Sequence, residues 1–458
     1  MSSIASVASA ATELAATFQG ELLKPSDVDY DDVRKVHNGL VDKRPALIAR
    51  CRGVADVVNA VNLTRKLGLE VAVRGGGHNV AGRATIDGGI MIDLSPMKGV
   101  QVDPKSRTVW AQGGATWGEL NRETQLHGFA VTGGVVSTTG IAGLTLGGGL
   151  GWLMCKHGLA LDNLLTVELV TSDGKVLRAS KQEAPDLFWA LRGGGGNFGI
   201  ATSLEYALHP VGPTVMGGPI IHSIENSHAV LEFYRETTRS LADEHTLFAT
   251  LTHAPDGSGT KVAALVTCHC GPPADAERAV RPLKQFGPPV LDAVVPMSYS
   301  QLNTMLDTNY PKGALNYWKS NFLTDLSDAA IDTMIGCFAR CPAPMGQLLL
   351  EHIHGAATRI GASDTAFPHR KEGYNFLVLA QWIQPSDTSA CIAWARESYE
   401  RMQPFFASGR YVNYLDDDEV GDPVAAAYGP NYRRLQQIKA QYDPKNFFRM
   451  NQNIRPLV

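Results

Sequence analysis

Long hydrophobic runs are missing from this chain. No apolar stretch reaches the roughly 18 residues that cross a bilayer, so no membrane span is expected. Runs of Lys or Arg are missing too, and the formal net charge is -4. Nothing in that balance favours nucleic acid as a partner. Met1 to Phe18 is rich in Ala and Ser but has no basic lead, so a secretory signal is not expected. Cysteine is scarce: the seven are scattered as Cys51, Cys155, Cys268, Cys270, Cys337, Cys341 and Cys391. An odd, scattered set fits a reduced cytoplasmic protein better than a disulfide framework. Internal repeats and low-complexity tracts are absent. Two nucleotide signatures are absent as well. There is no Gly-x-Gly-x-x-Gly turn directly between a first strand and helix with an acid about 20 residues on, and no Gly-Lys-Ser/Thr phosphate loop.

The hydrophobic fraction of 44% and the charged fraction of 19% are those of a soluble globular protein. A length of 458 residues exceeds one core and predicts two or three domains. Glycine is abundant and clustered. Arg74-Gly75-Gly76-Gly77-His78-Asn79 follows the strand-like Val71-Ala72-Val73. Three glycines in a row permit positive φ and close approach of a bound group, and their N–H groups can form an anion nest. His78, directly after the nest, is placed to carry chemistry. Gly133 to Gly151 holds eight glycines in nineteen residues, with Val135, Val136, Ile141, Leu144 and Leu146 between them. A flexible linker would lack those apolar residues, so the stretch predicts buried backbone packed on a large flat ligand. A third nest is Gly193-Gly194-Gly195-Gly196-Asn197-Phe198-Gly199.

The periodicity predicts strands over 47–50, 71–73, 89–94, 100–103, 108–111, 165–171 and 200–208, and helices over 54–67 and 117–126. Gly68 is a C-terminal cap for the first helix and Thr116 an N-terminal cap for the second. Residues 1–40 read as a helical lead-in broken by Pro25, and 41–210 as the glycine-rich part. From 211 to 405 the glycine runs stop. Strands over 247–252, 262–268, 347–354 and 374–382 alternate with helices over 274–286 and 389–402, with Pro282 placed to shorten the former. This predicts an α+β domain on a mostly antiparallel sheet. Residues 406–458 form a tail with an amphipathic helix over 431–442.

Several stretches carry a resemblance. They are Val73 to Asn79, Leu146-Gly147-Gly148-Gly149-Leu150-Gly151, Lys156-His157-Gly158-Leu159-Ala160-Leu161-Asp162-Asn163, and Asp186 to Gly199. In the tail they are Tyr411-Val412-Asn413-Tyr414 and Tyr442 to Ile454. Together they resemble the vanillyl-alcohol oxidase and berberine-bridge-enzyme superfamily. The resemblance implies an α+β fold: a two-part FAD-binding domain of the PCMH type, built from the N-terminal segment and the C-terminal tail. An α+β substrate domain on an antiparallel sheet is inserted between them. It implies FAD, linked covalently through His78. It also implies cofactor contacts from Arg74, Gly75, Gly76, Gly77, Asn79, Ser137, Thr138, Gly140, Gly143, Gly147, Gly148, Gly149, Gly151 and Trp152, and from Asp162, Asn163, Gly199, Ile200, Tyr411, Asn413 and Asn451. Some members carry a second link through a cysteine in a Cys-Pro-x-x-Gly stretch. Aligned on Val136-Ser137-Thr138-Thr139-Gly140, that cysteine is Val136 here, so a single attachment is expected. Cys155 reads as a small side chain packed near the cofactor.

The implied activity is an oxidase. A C–H next to an alcohol or amine of a small organic substrate gives hydride to the flavin, and molecular oxygen is the acceptor. Two alternatives are a dehydrogenase of the same fold with another acceptor, and a non-redox flavin-binding protein. After Phe367-Pro368-His369-Arg370, a strand presents Asn375, Leu377, Leu379 and Gln381 on one face. The candidate catalytic residues are His354, Tyr411, Asn375 and Gln381; a histidine suits general-base work near neutral pH. Leu377 and Leu379 predict a partly apolar pocket. Cys268-His269-Cys270 cannot converge on a metal, because neighbours on a strand point to opposite faces, and no metal is expected.

Overall fold

A computed structural model describes residues 4–418 and 421–457. Three sheets carry the architecture. The first has the order Glu21–Leu23, Leu47–Arg50, Ile90–Asp93, Val71–Arg74. Its last three strands run parallel, as the strand–helix–strand order requires. The helix Val54–Leu67 makes that crossover and ends on Gly68 at φ 65°, a left-handed conformation that suits glycine. The second sheet is antiparallel, with the order Val100–Asp103, Thr108–Gln112, Ile200–Ala207, Leu164–Val170, Val176–Ser180. The helix Trp117–Gln125 starts at Thr116, whose side chain and that of Glu119 cap each other's backbone.

The third sheet is wholly antiparallel. From Val215–Ser223 its strands follow the order Lys261–His269, His245–His253, Gln347–Ile353, Gly373–Trp382, Leu315–Leu323. One face packs under the helices Ser227–Thr238, Asp328–Ala339 and Thr388–Met402 and buries Leu348, Leu350, Phe376, Val378 and Ala380. Strand side chains alternate, so Leu349, Glu351, Leu377 and Leu379 take the opposite face. The tail crosses back to the glycine-rich part. Asn413 Nδ2 donates to the Leu144 carbonyl at 3.0 Å, and Asn451 Nδ2 to that of Gly196 at 2.8 Å.

Two expectations are corrected. The lead-in is not only helical: Glu21–Leu23 pairs with Leu47–Arg50 and completes the first sheet. Pro282 does not shorten its helix, which runs Pro273–Gln285; a proline removes one backbone bond, and an apolar face resting on the sheet offsets that loss. Among the described residues no helix is long and apolar enough to cross a membrane.

Candidate active site

A cavity of about 260 Å³ runs from the first nest to the free face of the third sheet. Gly75, Gly76, Gly77, His78 and Asn79 line one end, with Gly140, Gly143, Gly199, Ile200, Asn413 and Asn451. The nest and the second glycine stretch touch. A Cβ added to Gly76 would lie 2.4 Å from the Gly140 nitrogen, a distance side-chain carbons do not tolerate. His78 Nε2 is hydrogen bonded to Thr138 Oγ1 at 2.8 Å. Its ring stacks on His37 at 3.9 Å between centroids. Burial, with a smaller effect from His37, pushes His78 down to about 3. The imidazole is therefore neutral at physiological pH and keeps a nucleophilic lone pair. Val136 also lines the cavity, whereas Cys155 does not line it and is buried, its thiol pushed up to about 12 chiefly by burial.

Other residues expected at the cofactor turn out to hold the protein together. Arg74 forks onto Asp93, its Nε and Nη2 donating at 2.9 and 2.6 Å. Ser137 donates from N and Oγ to the Asp307 carboxylate at 2.9 and 2.5 Å. Added Cβ atoms on the later glycines would strike protein. Gly147 would meet Asn413 at 2.0 Å, Gly148 Tyr411 at 2.8 Å, Gly149 Ala160 at 2.2 Å and Gly151 the Gly133 carbonyl at 1.6 Å. Gly148 and Gly149 also have φ of 147° and 97°. Trp152 Nε1 donates to the Val135 carbonyl at 3.2 Å, and Asn163 Nδ2 to the carbonyls of His157 and Leu159 at 2.9 Å. Asp162 accepts both guanidinium arms of Arg370 at 2.8 Å. Each of these groups is spent on a protein neighbour, and none lines the cavity.

The sheet end of the cavity is formed by Leu349, Glu351, Leu377, Leu379, Trp318, Tyr310 and Tyr414. Of the expected catalytic residues, Asn375 sits directly opposite Glu351 and donates to its Oε2 at 2.6 Å. Gln381, on the same face, does not line the cavity and donates to the Asn309 carbonyl at 2.7 Å. Tyr411 does not line the cavity: its hydroxyl accepts from the Gly149 N–H and Asn413 Nδ2, both at 2.9 Å. Burial pushes that phenol up to about 12, so it does not act as a base near neutrality. His354 is excluded by alternation. It shares the side of Leu348 and Leu350, stacks on His352 at 4.8 Å, and its Nε2 is bonded to the His245 carbonyl at 3.0 Å. The residue that sequence reasoning missed is Glu351. Burial pushes its carboxyl up to about 7 against the opposing Asn375 hydrogen bond. The signal was present, since Glu351 shares the parity of Leu349 and, across the strand pair, of Leu377. Ile141, at the start of the helix Ile141–Gly147, is buried in the core.

Comparison with known proteins decides the lineage. A family described as an FAD binding domain matches residues 45–180, and one described as berberine and berberine like matches 410–455. The (R)-6-hydroxynicotine oxidase of Paenarthrobacter nicotinovorans is 31% identical, covering 96% of this chain and 97% of that one. The chain belongs to the vanillyl-alcohol oxidase and berberine-bridge-enzyme superfamily. It is an FAD-linked oxidoreductase of that family. An FAD-linked oxidoreductase of Dictyostelium discoideum is 30% identical over 97% of this chain and 96% of its own length. The crystal structure of 6-hydroxy-D-nicotine oxidase from Arthrobacter nicotinovorans superposes with a TM-score of 0.88 at 31% identity, over 96% of this chain and 99% of that one. A chitooligosaccharide oxidase gives 0.85 at 25% identity, over 99% and 100%.

The residues present fit FAD. Gly143 lines the cavity, and a Cβ built there meets no protein atom within 4 Å, so the space in front of it suits a ligand. His37 Nε2 and Arg83 Nε, on two residues of the lining, have no hydrogen-bond partner among the described residues. Buried polar groups seek partners, and a polar cofactor supplies them. Among the described residues no cluster of His, Cys, Asp or Glu is arranged to hold a metal.

Proposed function

We propose that this protein is a flavin oxidase that takes a hydride from a C–H next to an alcohol or amine of a small organic substrate, with molecular oxygen as acceptor and FAD bonded once, to His78. The observation that carries the proposal is the single cavity joining the His78 nest to the apolar face of the third sheet. The nest offers backbone N–H groups to an anionic group of the cofactor. His78, neutral and held by Thr138, offers a ring nitrogen for the covalent bond. Leu349, Leu377 and Leu379 exclude water from the substrate's place, and Trp318 gives it a flat partner. The flavin supplies hydride acceptance when bound. Relatives named as oxidases support oxygen as acceptor. Val136, where a second cysteine link would fall, has no thiol, which supports a single bond. All seven cysteines are free thiols, which supports a cytoplasmic location.

The test is anaerobic mixing of the purified yellow protein with a panel of sugars, secondary alcohols and cyclic amines, followed by air. A substrate that bleaches the flavin, with rapid recolouring and hydrogen peroxide on admitting air, is the expected result. Bleaching with recolouring only by an artificial acceptor makes it a dehydrogenase. A flavin that no compound bleaches leaves the non-redox reading.

A further inference from the structure

We propose that the sheet end of the cavity is a binding site for the ammonium group of an amine substrate, with Glu351 as its carboxylate partner. The inference rests on the flavin reading above and narrows its substrate from alcohol or amine to amine.

Three observations carry it. Glu351 is 1% exposed, yet it lines the cavity. Its carboxylate accepts one hydrogen bond among the described residues, from Asn375 Nδ2. A carboxylate has room for about four, and a buried one needs a counter-charge or more donors. Next, three aromatic rings stand at the same end. Trp318 is edge-to-face with Tyr310 and with Tyr414, at 6.1 and 6.0 Å. The polar tips of two are engaged: Trp318 Nε1 donates to Asn316 Oδ1 at 3.2 Å, and Gln347 Nε2 donates to the Tyr310 hydroxyl at 2.9 Å. Ring faces attract ammonium groups. Finally, the remaining wall is Leu349, Leu377 and Leu379, which pairs with none of a sugar's many hydroxyls.

The arrangement also fits amine oxidation. The ammonium N–H proton passes to the Glu351 carboxylate and leaves a neutral amine. With FAD bound, the cofactor would supply the acceptor for the adjacent C–H and its electron pair, and the C–N bond would become C=N. A cation would enter and an iminium cation would leave, with the proton held on Glu351. An alcohol hydroxyl is a far weaker acid than an ammonium and is a poorer match for a carboxyl that titrates near neutrality.

Glu351 faces Asn375 on one neighbouring strand and Phe248 on the other. The phenols that feel its charge are Tyr234, Tyr310, Tyr411 and Tyr414, all raised by burial. Across the cavity, burial lowers His37 to about 4 and His78 to about 3. Among these groups Glu351 alone changes charge between about pH 5.5 and 8.5. It is neutral below its midpoint and anionic above it, so cation affinity rises with pH.

The probe is benzyltrimethylammonium, which has no N–H and no lone pair, so it neither titrates nor turns over. Its affinity for the purified protein is measured by calorimetry and set against that of benzyl alcohol. At about pH 8.5 the cation should bind roughly tenfold more tightly than the alcohol, and that preference should vanish at about pH 5.5. Glu351→Gln should behave at high pH as the wild type does at low pH. Trp318→Leu should weaken the cation several-fold and leave the alcohol within about twofold. Equal affinity for both probes at every pH, or a pH dependence that survives Glu351→Gln, overturns the inference. If Glu351→Gln does not fold, the wild-type pH series and Trp318→Leu decide. A protein that carries no flavin refutes the cofactor reading while this titration still reports; flavin present without cation preference refutes only the amine site.

Discussion

Gly143→Leu should give a folded, colourless protein. The residue lies within the helix Ile141–Gly147 and lines the cavity. A Cβ there meets nothing of the protein within 4 Å, so the leucine has room as long as nothing else occupies the space. Leucine is also favoured over glycine in a helix by about 0.5–1 kcal/mol. The melting temperature should hold or rise while flavin absorbance disappears, because the side chain fills the volume assigned to the cofactor. Gly147→Leu is the contrast. Its Cβ would lie 2.0 Å from Asn413 Oδ1, so it should lower stability whether or not flavin is bound. A Gly143→Leu protein with full flavin content would mean that the cofactor lies elsewhere.

Asp162→Ala should cost about 3–5 kcal/mol, the usual loss when one partner of a buried ion pair is removed. Asp162 and Arg370 are 4% and 3% exposed and form a two-pronged pair. Arg370 also donates to the Ala357 carbonyl at 3.2 Å and to Thr365 Oγ1 at 2.9 Å, and its guanidinium lies 5.1 Å from the Phe367 ring centre. The pair ties the glycine-rich part to the loop ahead of the strand Gly373–Trp382. Loss of the carboxylate leaves a charge buried without a counter-ion. Asp162→Ala combined with Arg370→Met removes that charge and should recover most of the loss, since the penalty belongs to the orphaned guanidinium and not to the missing attraction. Urea midpoints of the two single variants and the double variant test this. Additive losses would contradict the assignment.

Local signals were legible in the sequence and long-range ones were not. The Gly75–Gly77 turn, the Gly68 cap and the Thr116 cap depend on a few consecutive residues; both caps formed where the pattern put them, and the three glycines line the cavity. The strand Glu21–Leu23 is three residues long and exists only through its register with Leu47–Arg50, which no local pattern encodes. Gly148 and Gly151 read as cofactor contacts because glycine signals close approach. The group that approaches Gly148 is Tyr411, and for Gly151 it is the Gly133 carbonyl. Composition tells that something comes near, not what. Asp162 misled in the same way, its partner Arg370 lying 208 residues on. At the sheet end of the cavity the sequence and the geometry part for a different reason. A histidine near the strand end drew attention by its chemistry, while strand alternation, which was available, pointed to Glu351.

The proposed bond joins FAD to His78 and to no other residue. Acid precipitation of the wild-type protein, followed by proteolysis and peptide mass measurement, tests it most directly. The pellet should stay yellow, and the FAD mass should sit on the peptide that contains His78 alone. Flavin released into the supernatant, or found on the peptide that contains Cys155, would contradict it.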